Sequence, residues 1–242
     1  MSDPFISAAQ LEGVPSAFAA ARDGIDSLLR DRGLRRSTPE DTARSLLLGA
    51  TATAGLEGST FESDVLAAGG GDETARGAVR LSSELLGLVP VWKRSPVQAL
   101  ARIHAVAAGG SVDDADLGRP VNPEGVARLT ALAAMTGQPT EAPGLVVAAL
   151  VHAEIVAASA FSSHNGVVGR AAERLVLVSK GVDPPSVMVP EAGHAAAPKA
   201  YRSALDAYGS GKSNGVHVWL MYAAQAFNRA AESSPLARER LG

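Results

Sequence analysis

Hydrophobic residues recur along this chain mostly at intervals of three and four, which is the spacing of an amphipathic helix and not of a strand. Alanine and leucine are abundant among them, and aromatic residues make up only 4% of the sequence. The pattern therefore predicts an all-α protein. The predicted helices cover residues 16–32, 38–56, 72–88, 95–108, 122–136, 143–159, 166–180, 198–209 and 214–231.

Turn-forming residues mark where these helices begin and end. Ser37 or Thr38 is a candidate N-cap before Pro39, and Asn122 precedes Pro123 in the same way. Breaks dense in Gly, Pro or Asp interrupt the pattern between the predicted helices. The two longest, 109–121 and 181–194, are predicted to be non-helical, as a short hairpin in one case and a partly extended SVMVP stretch in the other.

Composition narrows the class of protein. The chain has 242 residues, of which 46% are hydrophobic, enough to bury one good core. A net charge of -3 without a strongly basic stretch argues against a nucleic-acid partner. The absence of cysteine excludes disulfides, thiolate metal sites and a cysteine nucleophile. The first ten residues lack a signal-peptide pattern, and His152 and Glu154 interrupt the longest apolar run, so we expect a cytoplasmic protein that does not cross a membrane.

A polar turn at His164, Asn165 and Gly166 leads directly into an apolar helix that carries Arg170. The N–H groups in the first turn of a helix lack partners, and the helix dipole is positive there. Glycine also lets a ligand approach closely, so the turn suits an anion such as phosphate. An Asn-Gly pair before a helix is equally well a plain turn with a cap. The loop alone leaves both interpretations open.

The stretch from residue 148 to 184 resembles the core of the Fic domain family. In that family a helix carrying a histidine ends, seven residues later, in the motif HxFx(D/E)GNGRxxR. Here His152 lies seven residues before Ser159, which takes the first motif position. The motif is matched at Phe161, Asn165, Gly166 and Arg170, and it is replaced at Ser159, Ser163, His164 and Val167.

This resemblance implies a Fic-like helical bundle in which a short flap hairpin positions a target side chain. Residues 99–110 and 117–120 resemble the family's helix and flap more loosely. ATP or another nucleotide is the ligand that the resemblance implies. The nucleotide-binding residues would be Asn165, Gly166, Gly169 and Arg170.

A second resemblance lies upstream of the motif. Regulated Fic proteins carry an inhibitory helix of pattern (S/T)xxxE(G/N), whose Glu pairs with the last Arg of the motif and blocks the γ-phosphate of ATP. Thr53, Glu57 and Gly58 fit that pattern, and Arg170 is the retained partner. The resemblance implies a regulatory ion pair, and the alternative is a pair that only fastens the helix to the core.

The predicted regions follow from the two resemblances. Residues 1–49 form an N-terminal helical region, and residues 50–185 form the Fic-like core. The C-terminal helices of residues 186–242 then pack on that core.

Three of the four replaced motif positions carry the chemistry in active members: a general base, a magnesium-holding acid and a phosphate-binding Arg. Ser159 has no accessible base form near pH 7, and loss of a general base typically costs about 10²–10⁴ in rate. Ser163 is a poor magnesium ligand because hard cations prefer carboxylates, so no metal is expected. Val167 removes one guanidinium. His164 is either a displaced base or a loop residue that closes the pocket.

A glycine-rich stretch and several histidines elsewhere in the chain are weaker candidates for a phosphate or metal site. Residues 206–215 match the end of the phosphate loop GxxxxGK(S/T), but a helix precedes them where that motif needs a strand, so a helix-to-helix linker is predicted. His152 and Glu154 point to different faces of a helix. His194 and His217 have no companions at metal-ligand spacing. We therefore expect no metal site.

The stretch 216–227 is apolar on nearly all sides of its predicted helix. It is either part of the core or half of a homodimer interface.

Three functions remain open from the sequence. The favoured one is a degenerate Fic-fold protein without ordinary adenylyltransferase activity, which acts by binding a nucleotide or a protein partner. The second is a divergent Fic-type transferase that moves AMP or another phosphate-bearing group to a protein hydroxyl. The third is a scaffold without a small ligand.

Overall fold

The structure of the protein, a computed structural model, describes residues 3–30 and 37–238. All the regular elements in these residues are helical, which confirms the predicted all-α class. The helices are α1 (Pro4–Ala9), α2 (Val14–Leu28), α3 (Pro39–Leu56), α4 (Ser63–Ala67), α5 (Glu73–Glu84), α6 (Val89–Arg94), α7 (Pro96–Ala108), α8 (Pro123–Thr136), α9 (Gly144–Ala158), α10 (Asn165–Ser179), α11 (Pro190–Ala195), α12 (Pro198–Gly209), α13 (Gly215–Glu232) and α14 (Pro235–Arg238).

The predicted caps set the starts of two helices. Thr38 and Asp41 form a capping box at α3, in which each side chain accepts a hydrogen bond from the other residue's backbone N–H. Pro39 follows at the first helical position. Asn122 caps α8 by accepting a hydrogen bond from the N–H of Gly125.

Some helix bounds differ from the prediction. The helix predicted at 72–88 ends at Glu84 and passes through a 3₁₀ turn, Leu85–Leu88, into α6. The short helices α1, α4, α6, α11 and α14 were not predicted, because they are too short to show a hydrophobic period. The prediction that 181–194 is non-helical is wrong from Pro190 onward, where α11 begins. The end of the helix predicted at 16–32 lies outside the described residues. Residues 210–214 link α12 to α13 without a strand, as predicted for the phosphate-loop-like stretch.

The hairpin predicted at 109–121 is wrong: the segment folds as consecutive turns, and the described part of the chain contains no strand. The N–H of Asp116 donates to the carbonyl of Asp113, three residues back. Gly118 adopts a φ of +71°, and its N–H donates to Nδ1 of His104 at 2.9 Å. Turn carbonyls and a histidine ring thus take the N–H groups that a strand ladder would have used.

The core centres on α9 and α10, which pack closely against each other, with the other long helices around them. The main buried cluster draws apolar residues from Phe5 to Leu236, so all three predicted regions contribute to it. Within it, α13 buries Trp219, Leu220 and Phe227 against the same chain. No helix of the described segments is long and apolar enough to span a membrane.

Candidate functional site

The loop between α9 and α10 is held by the side chain of Asn165. Its Oδ1 accepts a hydrogen bond from the N–H of Phe161 at 3.0 Å, and its Nδ2 donates to the carbonyl of Phe161 at 2.9 Å. A third bond, from Nδ2 of Asn122 to the carbonyl of Ser159, fastens the loop to the start of α8. The amide of Asn165 therefore shapes the loop and places the first turn of α10.

Three of the four replaced motif residues, Ser159, Ser163 and His164, lie on this loop. Ser159 is exposed and caps the C-terminal end of α9, where its backbone adopts the left-handed conformation with a φ of +43°. Ser163 is half-buried, and its Oγ lies 2.7 Å from Nδ1 of His164. His164 itself precedes α10 at a φ of +58°. Burial lowers the pKa of His164, although the nearby charge of Glu57 acts to raise it. The imidazole is therefore neutral near pH 7.

Arg170 projects from α10 to the C-terminal end of α3. Its guanidinium is almost completely buried and donates to Oε1 of Glu57 at 2.5 Å, to Oγ1 of Thr53 at 3.3 Å and to the hydroxyl of Tyr201 at 3.1 Å. The Glu57 side chain remains 30% exposed. The structure thus brings Thr53 and Glu57 of the inhibitory-helix pattern into contact with Arg170, the partner that the resemblance implies for Glu57.

Gly166 lies directly beneath this ion pair. A Cβ at that position would fall 2.7 Å from Oε1 of Glu57 and 3.1 Å from Nη1 of Arg170. The carboxylate therefore sits over the first turn of α10, where unpartnered N–H groups and the helix dipole favour negative charge. This is the position at which the sequence predicts an anion.

Two further motif residues face the interior. Gly169 lies at the contact of α10 with α9, where a Cβ would fall 2.9 Å from the ring of His152. Val167 is buried and lines a cavity of about 20 Å³ that Thr53 also lines. A cavity of this size holds about one water. Residues of α3, α5 and α10 thus enclose a small cavity on this side of the site.

A buried cluster of His152, Glu173 and His194 lies behind Arg170. The hydroxyl of Tyr201 bonds Arg170 and lies 2.9 Å from Nε2 of His152. Nδ1 of His152 lies 3.2 Å from Oε1 of Glu173, and Nε2 of His194 lies 2.9 Å from Oε2. Burial lowers the pKa of His152 to about 4. Burial acts to raise the pKa of Glu173, but the two histidines outweigh this effect and hold that pKa below its ordinary value. The carboxylate is ionised at pH 7.

Two aromatic residues complete the surroundings of the cluster. The hydroxyl of Tyr222 lies 3.1 Å from Nδ1 of His194. The buried indole of Trp219 meets His152 edge-on, with ring centroids 5.2 Å apart, and stacks on His194 at 6.1 Å. Trp219 is fixed in turn by a bond from its Nε1 to the carbonyl of Ala149.

Sequence reasoning missed this cluster. Metal ligands are recognised in a sequence at short spacing, whereas these three residues come from α9, α10 and α11. Each lies 21 residues from the next along the chain. One signal was available, since His152 interrupts an otherwise apolar helix. The candidate partner of His152 on that helix was Glu154, but Glu154 instead pairs with Arg128 at 2.8 Å.

A second buried network adjoins the first. Arg174, one turn after Arg170, binds Glu191 through two nitrogens and Ser45 through a third. Ser45 belongs to α3 and Glu191 to α11. Two buried guanidinium groups of α10 therefore hold α3, so movement of α3 must break charged contacts.

Comparison with known proteins identifies the fold. No protein-family model matches the sequence, and no curated protein matches it. A solved structure of a Fic-1 fragment from C. elegans has a TM-score of 0.71 and 16% identity, and the match covers 99% of this chain and 76% of that one. A Glu-to-Gly variant of the fragment gives a TM-score of 0.67 and 17% identity, covering 95% and 72%. The chain therefore has the Fic fold that its sequence resembles.

Proposed function

We propose that this protein binds a nucleotide at the start of α10 and that Glu57 competes with the nucleotide phosphates for that position. In this proposal the protein has lost ordinary adenylyl transfer and acts through binding. The observation that carries it is the Glu57 carboxylate over Gly166, paired with Arg170 at 2.5 Å. A carboxylate already occupies the place where the helix dipole and a guanidinium would receive a phosphate.

The surroundings of Glu57 support its role as a displaceable group. It is the C-cap residue of α3, and Gly58 follows at a φ of +91° with open space beside it. The carboxylate is partly exposed, whereas Arg170 is buried and keeps Thr53 and Tyr201 as partners. An incoming phosphate can therefore replace one exposed ligand of Arg170 without unfolding the rest of its contacts.

The catalytic positions support binding without transfer. Ser159 offers an exposed hydroxyl where a general base would be needed. Ser163 offers a neutral hydroxyl where magnesium requires an acid, and Val167 is apolar and buried. We therefore propose that a nucleotide binds here without a metal ion held by the protein.

Calorimetric titration of ATP, with and without magnesium, into the wild type and Glu57→Gly tests the proposal. We expect binding in the variant to be at least about 10-fold tighter, because the competing charge is gone. Adding Arg170→Gln to Glu57→Gly should abolish the binding. Glu57→Gln, which removes the charge but keeps the size, should fall between wild type and Glu57→Gly.

One outcome contradicts the proposal directly. If neither the wild type nor Glu57→Gly binds ATP while circular dichroism shows both folded, nucleotide binding is excluded. The Glu57–Arg170 pair is then structural and the protein is a scaffold.

A second function, a divergent transferase, is favoured by one observation. His164 is neutral and lies 2.7 Å from the hydroxyl of Ser163, on the loop where the missing base would stand. A neutral imidazole can accept a proton from a target hydroxyl. Transfer of labelled AMP to protein that is lost in His164→Ala and kept in the surface variant His217→Ala would support this function over binding alone.

A further inference from the structure

Three metal-ligating side chains meet in the interior, apart from the nucleotide site. His152, Glu173 and His194 are each about 0–1% exposed, and one ligand atom from each lies within 4.8 Å of the others. They come from three helices, so whatever binds all three also joins α9, α10 and α11. The proposed nucleotide binding does not use them.

Two atoms of this cluster lack hydrogen-bond partners. Nδ1 of His152 and Oε1 of Glu173 lie 3.2 Å apart, but they are not aligned as a hydrogen bond, and neither has another partner among the described residues. Buried polar atoms are rarely left unpaired, because each loses its water without compensation. The carboxylate oxygen is an electron-pair donor, and so is Nδ1 of His152 when the ring hydrogen is on Nε2.

We propose that His152, Glu173 and His194 bind a zinc ion. Nδ1 of His152, Nε2 of His194 and one oxygen of Glu173 supply three ligand atoms, which is the number of protein ligands in a zinc site whose fourth position is open. Imidazole nitrogen suits zinc, whereas magnesium and calcium require oxygen ligands and magnesium keeps several waters. A buried site with two imidazoles therefore selects a borderline metal ion.

The distances are close to those of a metal site. Zinc–nitrogen bonds of about 2.0–2.1 Å place tetrahedral ligand atoms about 3.3 Å apart. The two imidazole–carboxylate separations are 3.2 Å and 2.9 Å. The ligand atoms all lie within 4.8 Å of one another, so binding needs a closure of at most about 1.5 Å.

The second ring nitrogen of each histidine is already held. Nε2 of His152 lies 2.9 Å from the hydroxyl of Tyr201, and Nδ1 of His194 lies 3.1 Å from the hydroxyl of Tyr222. With the ring hydrogen on the tyrosine side, the other nitrogen carries a lone pair toward Glu173. Such outer contacts fix the tautomer of a metal-binding histidine.

Metal analysis of the tag-free protein, followed by zinc titration of the chelator-treated protein in competition with a chromophoric chelator, tests the proposal. We expect one zinc per chain, a rise in Tm on binding and intense visible bands when cobalt replaces zinc. Tyr222→Phe should weaken zinc binding by about 10–100-fold, since it releases the outer bond to His194. Glu173→Gln and His194→Gln should abolish binding.

The controls separate this site from adventitious binding. Glu191→Gln replaces a buried carboxylate outside the cluster, and His217→Gln replaces a half-buried histidine that contacts the carbonyl of Glu12. Both variants should retain one zinc. The proposal is overturned if the folded wild type binds no zinc, or if Tyr222→Phe binds as tightly as wild type. It is also overturned if His217→Gln abolishes binding. The cluster would then be a network of histidines and a carboxylate that share protons.

Discussion

Replacing Glu57 with alanine leaves the buried guanidinium of Arg170 without its charged partner. Breaking a fully buried ion pair from one side costs about 3–5 kcal/mol, and an exposed pair is worth about 0–1 kcal/mol. Glu57 is 30% exposed, and Arg170 retains Thr53 and Tyr201. We therefore expect Glu57→Ala to lower the free energy of unfolding by about 1–3 kcal/mol.

A double-mutant cycle isolates the contribution of the pair. Arg170→Met removes the charge and keeps much of the volume, so the double variant Glu57→Ala/Arg170→Met carries no unpaired buried charge. Its destabilisation should be smaller than the sum of the single variants by at least about 1 kcal/mol. Urea denaturation followed by far-UV circular dichroism measures each value, provided that the m-value stays constant.

The matched control uses an exposed glutamate that lies away from α10. Glu12→Ala combined with Arg170→Met should be additive within about 0.3–0.5 kcal/mol, as expected of independent sites. If Glu57→Ala is also additive with Arg170→Met, the ion pair does not act in solution. Our reasoning on both regulation and stability at this site would then be refuted.

Two further predictions concern single positions. Gly166→Ala should destabilise the protein by no more than Glu57→Ala does, since its Cβ would fall 2.7 Å from the carboxylate oxygen at the free end of the Glu57 side chain, which can move away from Arg170. Gly55→Ala, with open space beside it on α3, should stabilise the protein by about 0.5–1 kcal/mol. Urea denaturation measures both. Burial lowers the pKa of His104 to about 4, so between pH 6.5 and 4 the unfolded chain binds more protons than the folded one and stability falls as the pH falls. His104→Gln should reduce the loss of stability between pH 7 and pH 5, and an unchanged loss would contradict the assignment.

The long helices were predictable because their signals are local. Thr38 with Pro39 and Asn122 with Pro123 marked two starts that the structure confirms within a residue. The hairpin at 109–121 was not predictable in the same way, because its N–H groups bond to turn carbonyls and to His104, a residue of a different element. Turn chemistry that depends on a tertiary contact leaves no local pattern.

The site divides along the same line. Asn165 and Gly166 could be placed at the start of a helix because they are contiguous with it. The contact between Glu57 and Arg170 spans 113 residues and followed only from the family resemblance. The cluster around Glu173 had no such guide, since an amphipathic period does not reveal which buried polar residues of three helices will meet.

The position of Trp219 has an optical consequence. Its indole touches both histidines of the buried cluster, and the sequence contains one other tryptophan, Trp92. A Trp92→Phe protein would therefore carry Trp219 as its single tryptophan, and the emission of that indole would report on the packing of the interior around His152 and His194 without an attached dye.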